Sequence, residues 1–328
     1  MISIYPTWYD DFQCKADRCE HTCCQTWEID IDLASYARYR ELTGPLGERL
    51  RASIAGEGDH HYFALNEQGY CPLLEASGLC SLVLAKGEDY LCDICHHHPR
   101  FYGYVKDGTD RTIELAGVGL ACEKTCELLS APVTSLEKAV CVPTSDTSIS
   151  EIVGAMDAPN EDTLYLTVGE EHKIYGYTTV DRLLTQLGVY CTKEDMAFVP
   201  LPNEADYLML LSILETTEPI HQAWTEGLSW LTAHIHDVVA RAEHYQTVYD
   251  SALFQRLYQY ILYRHIPRLA DVSLEALLAY GRDSAEYIFM MAAVHGHELV
   301  QMARWSEQIE YDTDNVARLL GIYESMFS

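Results

Sequence analysis

Residues 253–264 read LFQRLYQYILYR, and residues 284–301 read SAEYIFMMAAVHGHELVQ. In the first stretch Leu253, Leu257, Tyr260, Ile261 and Arg264 stand at i, i+4, i+7, i+8 and i+11, the spacing of one helix face ending in a charge. The second is apolar nearly all round from Ile288 to Val294, which predicts a buried helix over Ser284 to Gln301. Pro219 and Pro267 break helices around these stretches, and Asp312 or Thr313 stands where the last helix would be capped. Residues 161–328 therefore read as a helical bundle.

Working towards the N-terminus, residues 132–160 are rich in Ser, Thr, Pro and Asp and read as a connector. Residues 1–131 read as short elements joined by loops. Trp27 to Ile31 (WEIDI) alternates like a strand, and Asp32 is placed to cap a helix from Leu33 to about Leu42, ended by Gly44, Pro45 and Gly47. Pro72, Gly78 and Gly87 punctuate the segment from Cys71 to Cys95 into loop with helical turns. Arg111 to Leu115 reads as a strand and Glu123 to Leu129 as a helix. The expected fold is mostly α: an irregular, cysteine-rich N-terminal metal-binding region with short strands, then a helical C-terminal bundle.

The bulk numbers constrain function. A hydrophobic fraction of 48% over 328 residues describes a globular protein with a core. The longest apolar runs fall well short of the ~18–20 residues of a membrane span. The first residues carry neither a basic start nor an apolar run, so a cytoplasmic protein is expected. Fifty acidic against 22 basic residues give a net charge of −28, which repels nucleic acid and attracts a basic, lysine-bearing partner surface. In a reducing compartment twelve cysteines read as metal or redox chemistry rather than as a disulfide framework.

Ten of those twelve fall between Cys14 and Cys126; Cys141 and Cys191 lie outside and read as small buried hydrophobes. Cys14, Cys19, Cys23 and Cys24 form C-x4-C-x3-C-C. Cys71, Cys80, Cys92 and Cys95 form C-x8-C-x11-C-x2-C, and Cys122 and Cys126 follow as C-x3-C. Short C-x2–4-C loops offer two thiolates at once, and two such pairs complete a four-ligand shell. Ten cysteines exceed one such shell, so there are two sites or some cysteines serve otherwise. Spacing accommodates zinc or a 4Fe–4S cluster. The adjacent Cys23 and Cys24 favour the cluster, because neighbouring side chains point different ways and chelate one ion poorly. The run His96, His97 and His98 reads as an exposed turn before Pro99.

The segments CEHTCCQTWEIDID, CPLLEASGLC, LCDICHHHPR and GLACEKTC resemble the flagellin lysine-N-methylase family and, more distantly, cysteine-rich zinc- or iron-chelating domains. Residues 305–315, WSEQIEYDTDN, resemble a signature near the end of flagellin methylases, with Trp305 in place of the usual tyrosine. Residues 130–300 match only in helical character. The resemblance implies methyl transfer from S-adenosylmethionine to lysines of flagellin, and a 4Fe–4S cluster held by Cys19, Cys23, Cys24, Cys71, Cys80, Cys92, Cys95 and Cys122. Pro99 and Arg100 match the family's proline–arginine pair, whereas Cys126 and the histidine run are not family positions.

Lysine methylation needs the amine free of its proton, against an ordinary pKa of about 10.4, so a base or a tyrosine cage is expected. Glu310 and Tyr311 are the candidate catalytic residues. Glu307 and Glu310 lie near a predicted helix C-terminus, where the dipole disfavours negative charge. Twenty-three tyrosines make a cage available without identifying it. Gly117-Val118-Gly119 has Cys122 where a nucleotide loop would have its third glycine, and reads instead as a turn presenting that cysteine. The C-x3-C-x2-C triplet of radical enzymes is absent from the sequence. Two further readings stand beside flagellin methylation: a methyltransferase for another protein, and a non-catalytic electron carrier or metal-chelation module.

Overall fold

The computed structural model describes residues 1–108, 110–133, 136, 152–153, 159–170 and 173–328. Cys141 and most of the expected 132–160 connector lie outside the described residues. The chain is mostly α, with strands β1 Ile2–Pro6, β2 Ile29–Asp30, β3 Ile54–Glu57, β4 His60–Phe63, β5 Arg100–Lys106, β6 Thr112–Val118, β7 Tyr165–Glu170 and β8 Lys173–Thr179. A five-stranded sheet runs β5-β6-β1-β7-β8, and a three-stranded one β2-β4-β3.

Two compact units divide the chain: Gln13–Phe101 with Cys122–Lys124, and Met1–Phe12 with Tyr102–Ala121 and Thr125–Ser328. This differs from a split into 1–131 and 161–328. The first strand and the β5–β6 hairpin belong with the long helices because their apolar side chains complete that core. On β1 and β6, Ile2, Ile4, Ile113 and Leu115 are buried while Ser3, Tyr5 and Glu114 alternate to the other face. The helix Ser251–His265 packs on the buried face: Tyr263 Oη reaches the carbonyls of Ile4 (2.6 Å) and Ala116 (2.9 Å). Tyr260 Oη accepts from Val118 N at 2.9 Å and lies 2.6 Å from its carbonyl. The expected face of Leu253, Leu257, Tyr260 and Ile261 is thus the one that is buried.

The segment expected as one helix from Ser284 to Gln301 is two. Leu274–His295 ends where Gly296 (φ 70°) and His297 (φ 60°) turn left-handed, and Glu298–Ile309 begins anew. Gly281 lets Leu274–His295 approach Ser251–His265 closely, since a Cβ there would meet Leu262 Cδ2 at 2.5 Å. Inside this unit Glu286 is buried; Tyr207 Oη donates to it at 2.6 Å and Leu201 N at 3.0 Å. Burial pushes its carboxyl up to about 7. The last helix, Thr313–Phe327, is capped by Asp312, which accepts from Asp314 N and Asn315 N. Strands β7 and β8 stand within the stretch read as purely helical. Tyr165 to Gly169 are all buried, so β7 shows no alternation of apolar and polar residues.

Candidate metal centre

In the unit Gln13–Phe101 with Cys122–Lys124, Asp32 organises two helix starts. One carboxylate oxygen accepts from Ser35 N (2.8 Å) and caps Leu33–Glu41; the other accepts from Asp93 N (3.0 Å), the first residue of Asp93–His97. That short helix carries Cys92 at its N-cap and Cys95 one turn on. The Leu33–Glu41 helix holds the segment before it: Arg38 donates to the carbonyls of Asp89 (3.1 Å) and Leu91 (3.2 Å), and Tyr39 Oη to that of Tyr90 (2.8 Å). Below lies a small core of Ile29, Ile31, Tyr39, Leu50, Phe63, Leu73 and Leu82, in which Cys71 and Cys92 are themselves buried members.

The other cysteine loops are fastened to this frame by backbone and charge. Cys71 N donates to Cys24 O at 2.8 Å, and Trp27 Nε1 donates to Cys23 O at 2.9 Å, which fixes the Cys23–Cys24 corner. From the helix Gly44–Ser53, which follows the expected helix stop at Gly44, Arg49 donates to Pro72 O and pairs with Glu75 across the Cys71–Cys80 loop. Glu123 joins Cys122 to the first cysteine loop. It accepts from Lys15 Nζ at 2.9 Å and from His21 N at 2.6 Å. Burial raises the Glu123 carboxyl, but these donors outweigh it and hold the group below the usual carboxylate range.

The cysteines fall into two electrostatic neighbourhoods. In the inner one, Cys71 lies within reach of the charges that Cys24, Cys80 and Cys92 would carry, and Cys95 within reach of those on Cys92, Cys24 and Cys71. Burial first, then these neighbours, push Cys71 up to about 12. A hydrogen bond from the Cys95 thiol to Cys92 raises Cys95 and lowers Cys92. In the outer one, burial followed by Glu123, Cys122 and Cys14 pushes Cys19 up to about 11. Cys23 stands near Cys14 and Cys122 and hydrogen-bonds Cys24, which brings Cys24 down to about 7. The adjacent pair Cys23–Cys24 thus belongs to both neighbourhoods, one residue to each.

All eight candidate ligands share this unit, and Cys14, absent from that set, joins them in the outer neighbourhood. The donors suit a thiophilic metal. Two thiols already share a proton with a neighbouring sulfur, and several thiolates would repel one another, a repulsion that a bound cation relieves. Among the described residues no three His, Cys, Asp or Glu side chains converge to metal-holding distance. The fold therefore collects the thiols without closing a coordination shell around them. Lys15 and Glu123, which bring Cys122 to Cys19, carried no sequence signal, being 108 positions apart.

Other candidates lie elsewhere. His96 and His97 are exposed, and His97 Nδ1 is 2.9 Å from Asp93 O. Cys126 is buried and donates to Leu120 O at 3.1 Å in the second unit, and Cys191 is half-buried there. Val118, in the middle of the Gly117–Gly119 pair, is tied to Tyr260 through both backbone groups, as part of a strand end. Glu310, in the second unit, is buried; Arg264 (2.8 Å), His265 (3.1 Å) and Ser306 occupy its carboxylate. Burial raises its carboxyl, but Arg264 and then His265 outweigh that and hold it below the ordinary range. Tyr311 is half-buried, its backbone N–H donating to Ser306 O. Glu307 is buried. The second unit also holds a cleft of about 500 Å³ lined by Tyr104, Lys106, Leu187, Val189, Ile266 and Pro267 among others.

No family model matches the chain, and no solved structure matches it. Among curated proteins it is similar to the flagellar biosynthetic protein FliU of Salmonella muenchen, 23% identical over 133 residues that span 39% of this chain and 76% of FliU.

Proposed function

We propose that this chain is a cysteine-ligated metalloprotein, carrying an iron–sulfur cluster, that methylates lysine side chains of a protein in the flagellar context, flagellin being the leading candidate. The observation that carries the metal part is the gathering of nine thiols from four separate segments into two adjoining neighbourhoods. Inert core cysteines have no reason to be mutual neighbours at such electrostatic cost. Cys24, Cys71, Cys80, Cys92 and Cys95 would hold one group, and Cys14, Cys19, Cys23 and Cys122 are the donors available to a second. Such a group, when bound, would supply a crosslink between loops that come from separate segments of the chain. The alternative metal is zinc.

The flagellar context is supported by the similarity to FliU together with the cysteine segments and the 305–315 signature. S-adenosylmethionine is the methyl donor in this reading, and the cleft beside Tyr104 is of the size that takes a nucleoside. The commitment of Glu310 to Arg264, His265 and Ser306 favours a second reading, a non-catalytic metal-chelation module or electron carrier, since it gives that carboxylate a structural task.

Anaerobic purification followed by iron, sulfide and zinc analysis tests the metal. Roughly four irons and four sulfides per chain, with a broad absorbance shoulder, are expected for a 4Fe–4S cluster. Stoichiometric zinc without sulfide overturns the cluster. Transfer of labelled methyl from S-adenosylmethionine to lysines of flagellin is expected from the loaded protein; its absence leaves the non-catalytic reading.

A further inference from the structure

The face of the five-stranded sheet turned away from Tyr260 and Tyr263 is built from aromatic rings around one carboxylate. Alternation along β5 sends Tyr102 and Tyr104 outward, 46% and 55% exposed, whereas Gly103 faces Pro267. On β6 the outward residue is Glu114, directly opposite Ser3 of the parallel strand β1. Its two oxygens accept from Ser3 Oγ (2.8 Å) and Tyr104 Oη (3.4 Å). Tyr5, two residues on along β1, lies 5.4 Å from the ring of Tyr9, and Tyr9 Oη is 3.4 Å from Tyr102 Oη. Four tyrosines from two distant parts of the chain thus line this region within one unit, Tyr104 in contact with Glu114 and Tyr5, Tyr9 and Tyr102 in contact with one another in sequence.

The charges around this face are resolved by their partners. Lys106, the next outward residue of β5, is paired with Asp110 at the strand end. Among the described residues no lysine or arginine pairs with Glu114. Asp10 adds negative potential beside Tyr5, on a chain whose net charge is −28. Ring faces and a carboxylate together attract a cation that carries apolar carbon, and repel anions. The same chemistry is used elsewhere in the chain, where Lys173 Nζ lies 4.7 Å from the ring centroid of Tyr175. A metal ion would find the Glu114 carboxylate already hydrogen-bonded by Ser3 and Tyr104. A lysine side chain, with four methylenes and an ammonium, matches both the rings and the acid.

We propose that Tyr5, Tyr9, Tyr102, Tyr104 and Glu114 form a docking site for a lysine side chain, free or methylated, presented by a protein partner. The choice of occupant rests on the lysine-modifying reading above; the geometry does not. The rings cover the methylenes, their faces and Glu114 take the ammonium, and the acidic surroundings favour a basic partner.

The test is binding of short synthetic peptides to the full-length, metal-loaded protein without S-adenosylmethionine, followed by NMR or calorimetry. The peptides are matched and carry one lysine, trimethyl-lysine, or the neutral tert-butyl isostere of trimethyl-lysine. Saturable binding of both cationic peptides is expected, with the neutral isostere weaker by about fivefold or more. The double variant Tyr102→Leu/Tyr104→Leu is expected to weaken binding about tenfold and Glu114→Gln about threefold. Both tyrosines are exposed, so the fold is checked by circular dichroism and is expected to be unchanged. Equal binding of the neutral isostere, or no change in the variants, overturns the site. Methyl transfer that survives these variants with no loss of peptide binding overturns the site and leaves the enzyme reading standing. Peptide binding with no methyl transfer does the reverse.

Discussion

The two units solve the problem of stability differently. In the unit of Met1–Phe12, Tyr102–Ala121 and Thr125–Ser328, long helices bury wide apolar faces, and the buried carboxylate of Glu310 is held by Arg264, His265 and Ser306. In the unit of Gln13–Phe101 with Cys122–Lys124, the helices run five to ten residues and the largest buried groups are few: Tyr39, Leu50, Phe63 and Leu73. Here the core includes thiols, and carbonyls of loops are held one by one by Arg38, Tyr39 and Arg49. Short helices are marginal without tertiary support. The comparison teaches that the long-helix unit draws on wide apolar packing, whereas the cysteine unit, on the reading proposed above, would rely on a bound metal as well.

Removing the metal should break the comparison most visibly. Structural metal binding contributes on the order of 10 kcal/mol to folding in small cysteine sites. Chelation, or Cys92→Ser in the inner neighbourhood, should therefore abolish hydrogen-exchange protection over residues 13–101 while the helices Ser251–His265 and Leu274–His295 stay protected. Equal loss in both units would show that they are not separately stabilised. Unchanged protection in the cysteine unit would show that its thiols need no partner.

The second unit should fail through its buried charges instead. Glu310→Ala leaves Arg264 beside a vacancy where its partner stood, and loss of a buried partner costs about 3–5 kcal/mol. A lowered melting temperature with intact metal content is expected; loss of metal in this variant would mean that the two stabilities are linked.

A pH titration sharpens the contrast further. Glu286 has its carboxyl raised to about 7 by burial, against an ordinary value of 4.5, so the folded state holds a proton that the unfolded chain releases. Its contribution to stability is complete below about pH 4.5 and is lost as pH rises through 7, a decline of up to about 3 kcal/mol. Glu286→Gln should flatten that slope. A slope that survives the substitution would assign it to another group.

Much of the fold could be read locally. The cap at Asp32, the helix that follows it, the buried face of Leu253, Leu257, Tyr260 and Ile261, and the cap at Asp312 all depend on residues within a few positions of one another. Strand β7 escaped because a strand buried on both faces loses its period, and the helix break at Gly296–His297 escaped because apolar residues continue across it. The clustering of the cysteines was legible, since cysteine spacing is a chain property. Its division was not: Asp32 reaches Asp93, 61 residues away, and Glu123 reaches Lys15, 108 away.

By itself, then, the amino-acid order determined what is set by near neighbours: helical periodicity, caps, the net charge of −28 and the supply of thiols. Only the tertiary structure decided which thiols are neighbours, that Glu310 is spent on Arg264 and His265, that Tyr104 reaches Glu114, and that Tyr9 bridges Tyr5 and Tyr102. Such meetings require strand register and loop closure, whose free energies depend on contacts spread over the whole unit rather than on any segment.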